Sequence, residues 1–174
     1  MRPSTGLSLI GEAGVAQDQQ ISRIFFEPAT VQDLDDILRI EQASFSAPWT
    51  RKMFEAELSG NPFGHLSVAR SGGVDGTRKE LLGYICFWVV FEELRLMNLA
   101  VAPQARRPGL ATALVRHALA VGRDQGAGRA GLEVRSSNEA ARRLYERMGF
   151  VQVALRTKYY TNPIEDALLL ARGL

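Results

Sequence analysis

Two stretches of the chain carry residue types at spacings that could do chemistry. The first, Leu99-Ala100-Val101-Ala102-Pro103-Gln104-Ala105-Arg106-Arg107-Pro108-Gly109-Leu110-Ala111-Thr112, runs from an apolar strand-like segment through a basic turn into a helix-like pattern. Backbone N–H groups at a helix N-terminus have no internal acceptor, and the helix dipole adds partial positive charge there, so such a turn can cradle a pyrophosphate. Gly109 has no Cβ to keep an anion off the backbone, and Arg106, Arg107 and Arg116 add charge with no acid nearby. Pro108 either removes one N–H donor from the cradle or simply pre-sets the start of the helix. The plainer reading of the stretch is a strand-to-helix turn whose arginines are solvated. The second stretch holds Glu133 in a short alternating run and Tyr145 beyond it, a carboxylate and a phenol that could take up and deliver a proton. Glu133 also reads as a solvent-facing strand residue paired with an arginine, and Tyr145 as a packing residue beside Leu144.

The elements that must position these residues follow from hydrophobic period and punctuation. Ile24-Phe25-Phe26 reads as a strand, and Thr30-Val31-Gln32-Asp33 starts a helix with Leu34, Ile37 and Leu38 on one stripe, ending near Phe45. Pro48 blocks its continuation, and Thr50 opens a second short helix with Met53, Phe54 and Leu58. Strands are expected at 65–70, 82–90 and 94–101, with an exposed loop over 71–80. A helix over 110–125 carries Leu110, Leu114, Ala118 and Val121, and a short strand over 131–135 alternates Leu132 and Val134 with Glu133 and Arg135. Ser136 and Glu139 suggest a capping box for the next helix, whose stripe is Ala140, Ala141, Leu144 and Met148 and whose end is Gly149. Strands at 151–160 and 166–171 close the chain. The class is α/β: a mixed, mostly antiparallel sheet of about seven strands flanked by about four helices.

Composition narrows the function. With 174 residues, one domain over 23–174 preceded by a flexible tail over 1–22 is expected. The 21 basic and 19 acidic side chains nearly cancel, which gives no general case for nucleic acid or an anionic membrane as partner. Cys86 has no second cysteine to pair with, and with only His65 and His117 beside it no Cys/His metal cluster is available. The longest apolar run, 84–91, is far short of a membrane span, and Glu12 interrupts the run at 7–10 too early for a signal-peptide core. A reducing, cytoplasmic setting without metal is expected.

The Arg106-x-x-Gly109-x-Ala111 turn after Asn98-Leu99-Ala100-Val101 resembles the Q/R-x-x-G-x-G/A motif of GNAT acetyltransferases, and the element order from residue 25 resembles the GNAT fold. The resemblance implies that 106–112 hold the pyrophosphate of acetyl-CoA, and that the strand before the turn splays from its neighbour and pairs with the pantetheine arm through Leu99, Ala100 and Val101. Further, Leu132-Glu133-Val134-Arg135-Ser136-Ser137-Asn138-Glu139-Ala140-Ala141 and Leu144-Tyr145-x-x-x-Gly149-Phe150 resemble the signatures of ribosomal-protein-alanine N-acetyltransferases. Ser46-Ala47-Pro48-Trp49 and Arg156-x-x-Tyr159-Tyr160 look like that family too. This implies Glu133 as base, Tyr145 as acid and Asn138 as a cofactor contact. The implied acceptor is the N-terminal segment of a small-subunit ribosomal protein, starting with alanine; a monomer is expected.

The chemistry agrees with that pair. An α-amine with pKa of about 7.7–8.0 is roughly a tenth neutral at pH 7, whereas a lysine near 10.4 is almost wholly charged. Glu133 would need burial to strengthen it as a base, while a phenol near 10 and a thiol near 8.5 are close enough to share a proton. Trp49, Glu92, Glu93, Tyr159 and Tyr160 are the candidates to line a peptide groove, Glu92 and Glu93 reading also as a solvated hairpin end. Two other functions fit the motifs: acetylation of a small amine on the same fold, or an acyl-CoA-binding module without turnover.

Overall fold

The computed structural model describes residues 24–72, 80–106 and 109–174. The expected tail, the loop residues 73–79, and Arg107 and Pro108 lie outside them. Seven strands among the described residues, β1 (Ile24–Pro28), β2 (Gly64–Ser71), β3 (Leu81–Val90), β4 (Glu93–Val101), β5 (Arg129–Arg135), β6 (Val151–Thr161) and β7 (Ile164–Gly173), form one sheet in the order β1-β2-β3-β4-β5-β7-β6. Only β4 and β5 run parallel; the other neighbours are antiparallel. This is the mixed, mostly antiparallel sheet that the hydrophobic patterning implied.

Helices α1 (Leu34–Ser44) and α2 (Arg51–Ser59) cover one face. Phe54 of α2 meets Tyr84 of β3 edge-on at 5.5 Å between ring centroids, and Trp88 Nε1 donates to Glu57 Oε2 at 2.8 Å. Thr30 N–H donates to Asp33 Oδ2 at 2.8 Å, as the start signal requires, although one turn of 3-10 helix at Val31–Asp33 precedes α1. Asp33 also pairs with Arg70 of β2, fastening the start of α1 to the sheet. Helix α3 (Leu110–Asp124) covers the opposite face, where a Cβ on Gly122 would collide with Leu94 of β4 and one on Gly83 of β3 would come within 3.3 Å of Leu114. The glycines set how closely α3 lies on β3 and β4.

Helix α4 (Glu139–Arg147) departs from its expected start. Its cap is Asn138, whose Oδ1 accepts the Ala141 N–H at 3.1 Å; Ser136 instead donates to Glu165 Oε1 at 3.1 Å, and Glu139 pairs with Arg143 at 3.0 Å. The bonds from Ser136 and Ser137 to Glu165 hold the end of β5 to β7, so the helix begins only beyond them. Leu144 and Tyr145 are buried, whereas Ala140 is exposed, because this end of the expected apolar stripe faces a groove. Gly149 ends the element at φ +83°, the left-handed conformation its position suggested.

One irregularity matters for function. In the β3–β4 ladder Phe87 pairs with Leu96 and Cys86 with Asn98, so Met97 is an inserted bulge. A strand alternates faces residue by residue, and the extra residue reverses the phase. Leu94 before the bulge faces α3, and Asn98 after it shares the face of Tyr84, toward α1 and α2.

Candidate active site

Pairing between β4 and β5 runs only from Glu93↔Arg129 to Leu96↔Leu132. Beyond it β4 stays paired to β3 through Val101 and β5 to β7 through Arg135, so the edges that face each other have no partner strand. Between them opens a groove of about 650 Å³, lined by Leu99, Ala100 and Val101 of β4, Glu133 and Arg135 of β5, Gly109, Ala111 and Thr112 at the head of α3, and Asn138, Ala141 and Tyr145 of α4.

At one end lies the basic turn. Gly109 sits at φ +113° as the N-cap residue before α3, with nothing among the described residues within 4 Å of where a Cβ would be, and it has no side chain with which to cap the first turn. The first helical bond of this turn is from Ala113 N–H to Gly109 C=O, so the N–H groups of Leu110, Ala111 and Thr112 precede the first helical acceptor. Leu110 can offer only its backbone, since its side chain is buried in the core. Arg106 also ties the end of α1 to the end of β4, its Nη2 donating to Ser44 Oγ at 3.2 Å and its Nε to Val101 C=O at 3.3 Å. These features suit a pyrophosphate with an extended arm along β4.

Glu133 alternates away from the buried Leu132 and Val134, on the face of α1 and α2. Its side chain is 18% exposed and pairs with Arg156 Nη1 at 2.6 Å and Arg95 Nη2 at 3.6 Å. Guanidiniums face it from both β4 and β6. Glu133 thus lines the groove and has the arginine pairing of the plainer reading. Tyr145 is 8% exposed, and burial with Tyr160 nearby pushes its phenol up to about 12. Asn138 lines the groove while its Oδ1 caps α4.

Of the residues suggested for the acceptor side, Trp49 and Tyr160 line the groove. Arg135 lies over the Tyr160 ring at 4.0 Å and donates to the carbonyls of Asn162 and Pro163, which fixes the β6–β7 turn beside the groove. Glu133 beside it raises the Tyr159 phenol. Glu92 and Glu93 do not belong to the site: they lie at the β3–β4 hairpin, where Glu93 Oε2 accepts from Arg129 at 3.0 Å, and the groove opens only after Leu96. Cys86 is buried, which pushes its thiol up, His65 stacks on Phe87, and His117 stacks on Phe26 and bonds Ser67, so all three are packing residues. Glu41 and Asn98, which also line the groove, went unassigned in the sequence; the signal was a glutamate at the i+4 position from Ile37, inside the apolar stripe of α1.

The acetyltransferase (GNAT) family pattern matches residues 34–150. An Escherichia coli K12 protein named [ribosomal protein bS18]-alanine N-acetyltransferase is 34% identical over 141 residues, covering 80% of this chain and 90% of that one. A Bacillus subtilis protein provisionally given the same name is 36% identical over 140 residues, with 80% and 89% covered. The crystal structure of the Escherichia coli ribosomal-protein-S18-alanine N-acetyltransferase superposes with a TM-score of 0.74 at 30% identity, covering 86% of this chain and 93% of that one. The NatC complex bound to Gag peptide and CoA gives 0.74 at 25% identity, with 87% and 99% covered. With that pattern spanning most of its folded length and relatives above 30% identity along four-fifths of it, the chain belongs to the GNAT family of acetyltransferases.

Proposed function

We propose that the chain transfers the acetyl group of acetyl-CoA to the α-amine of a protein N-terminus, the alanine-starting ribosomal protein bS18 being the acceptor that its bacterial relatives' names supply. The observation that carries this reading is the groove between β4 and β5, which brings a glycine-capped helix start on one side of the sheet together with Glu133 on the other. Acetyl-CoA supplies the acyl group and a thiolate leaving group. The N–H groups of 110–112, Gly109 and Arg106 bind its diphosphate, the unpaired edge of Leu99, Ala100 and Val101 takes its amide arm, and Asn138 contacts it from α4; Arg107 and Pro108 complete that turn in sequence.

Glu133 accepts the proton that the attacking amine sheds as the N–C bond forms, directly or through one water. An α-amine is already partly neutral at pH 7 and asks little of its base, whereas a lysine is almost wholly charged. Tyr145 donates a hydrogen bond to the sulfur as the C–S bond breaks. With its phenol at about 12, complete transfer to a thiolate of ordinary basicity near 8.5 is uphill by roughly 5 kcal/mol, so Tyr145 stabilises the departing sulfur chiefly by hydrogen bonding. Trp49, Tyr159 and Tyr160 wall the acceptor's first residues. The enzyme acts as a cytoplasmic monomer in this reading; no helix of the described residues is long and apolar enough to cross a membrane.

Thiol release from acetyl-CoA, followed with an Ala-starting bS18 peptide, the same peptide N-terminally blocked, and spermidine, tests the proposal. Turnover on the unblocked peptide alone supports it. Turnover on spermidine would move the enzyme to small amines, and cofactor binding without turnover would make it a sensor.

A further inference from the structure

The carboxyl group of Glu41 is 1% exposed and is used by none of the steps above. It accepts four hydrogen bonds from three donors: the Trp49 N–H to Oε1 at 2.6 Å, the Tyr84 hydroxyl to Oε2, and the Asn98 amide to both oxygens at 3.2 Å. Burial, with Glu41 beside it, pushes the Tyr84 phenol up, so Tyr84 is the donor of its pair. Trp49 belongs to the loop joining α1 to α2, and Asn98 to the part of β4 beyond the Met97 bulge. Both segments line the groove, on the side of the sheet away from α3. A buried carboxyl group is costly unless its bonds are all made, so these partners define one arrangement of loop and strand.

Resting on the function proposed above, we infer that Glu41 is a positioning residue for the acceptor: it clamps the α1–α2 loop, with Trp49, to the unpaired stretch of β4, and so sets the wall against which the acceptor's N-terminal residues lie. The diphosphate end of the acyl donor lies at the head of α3, on the other side of the sheet, whereas the loop that carries Trp49 faces the acceptor. The bulge at Met97 is what makes the clamp available, because without the phase change Asn98 would face α3.

Glu41→Gln keeps the volume but turns one oxygen into a donor that opposes the Asn98 amide. The expected result is a rise of roughly tenfold or more in KM for the peptide, with KM for acetyl-CoA within about twofold of wild type. Amide exchange at Trp49 should quicken while the β2–β3 ladder keeps its protection. Adding Asn98→Asp restores a donor-to-acceptor pair across the clamp and should recover most of the loss. Parallel rises in both KM values, an unchanged peptide KM, or a double variant no better than the single one would overturn the inference. Should Glu41→Gln not fold, Tyr84→Phe removes one bond of the same set and carries the same expectations for the two KM values and for Trp49 exchange, with the same refutations on those readouts. The Trp49 exchange requires no turnover, so it separates failure of the clamp from failure of the N-terminal acetylation reading, which the wild-type peptide assay decides.

Discussion

At the scale of single residues, the groove pairs a carboxylate flanked by arginines with a phenol that burial keeps protonated. In the proposed mechanism, replacing Glu133 with Gln removes the proton acceptor, and Tyr145→Phe removes the hydrogen bond to the sulfur. Each should lower kcat by on the order of 10²-fold with KM for acetyl-CoA nearly unchanged, measured by steady-state thiol release. The pH dependence follows from Tyr145 and the acceptor amine. Because the Tyr145 phenol is raised to about 12, its O–H remains in place across the working range, so kcat/KM should climb with the ionisation of the acceptor amine at about 7.7–8.0 and hold level to about pH 10. A descending limb between pH 8 and 10 would show that a different acid serves the sulfur.

Among the elements, the loop-to-helix start at residues 30–34 offers a clean test. Asp33 loses hydration on burial, which alone would raise its carboxyl, but the Thr30 N–H and the Arg70 guanidinium outweigh that and hold it below its ordinary value. A carboxyl depressed on folding stabilises fully above its unfolded pKa of about 3.9, and the contribution fades as pH falls through the lower folded value. Asp33→Asn should therefore cost roughly 1–3 kcal/mol at pH 7 by urea denaturation, and its deficit should shrink below pH 4. These elements were legible in sequence because their punctuation is local: Thr30 with Asp33, Pro48, and Gly149 each act within one turn. The start of α4 was not, because Ser136 is claimed by Glu165, a partner far along the chain that no local pattern discloses. The same division holds in the site. Gly109, Glu133 and Tyr145 stand out by spacing, whereas Glu41 makes sense only after a bulge in β4 has turned Asn98 to meet it.

For the whole molecule, the sheet is two half-sheets joined by four residue pairs, Glu93 to Leu96 with Arg129 to Leu132, and by the crossover through α3. Past that seam the backbone of β4 from Leu99 to Val101 has no strand on its β5 side. Acetyl-CoA at about a hundred times its dissociation constant should add roughly 2.7 kcal/mol of stability, a Tm rise of about 5–10 °C by differential scanning fluorimetry. In amide exchange the added protection should concentrate at 99–101 and 110–112, with β1 and β2 little changed. An even gain across the sheet would argue against an arm lying along β4. The edge thus left over is a template one strand wide: on the proposed reading the cosubstrate serves for a single turnover as a further strand, and the fold is finished only while there is work to do.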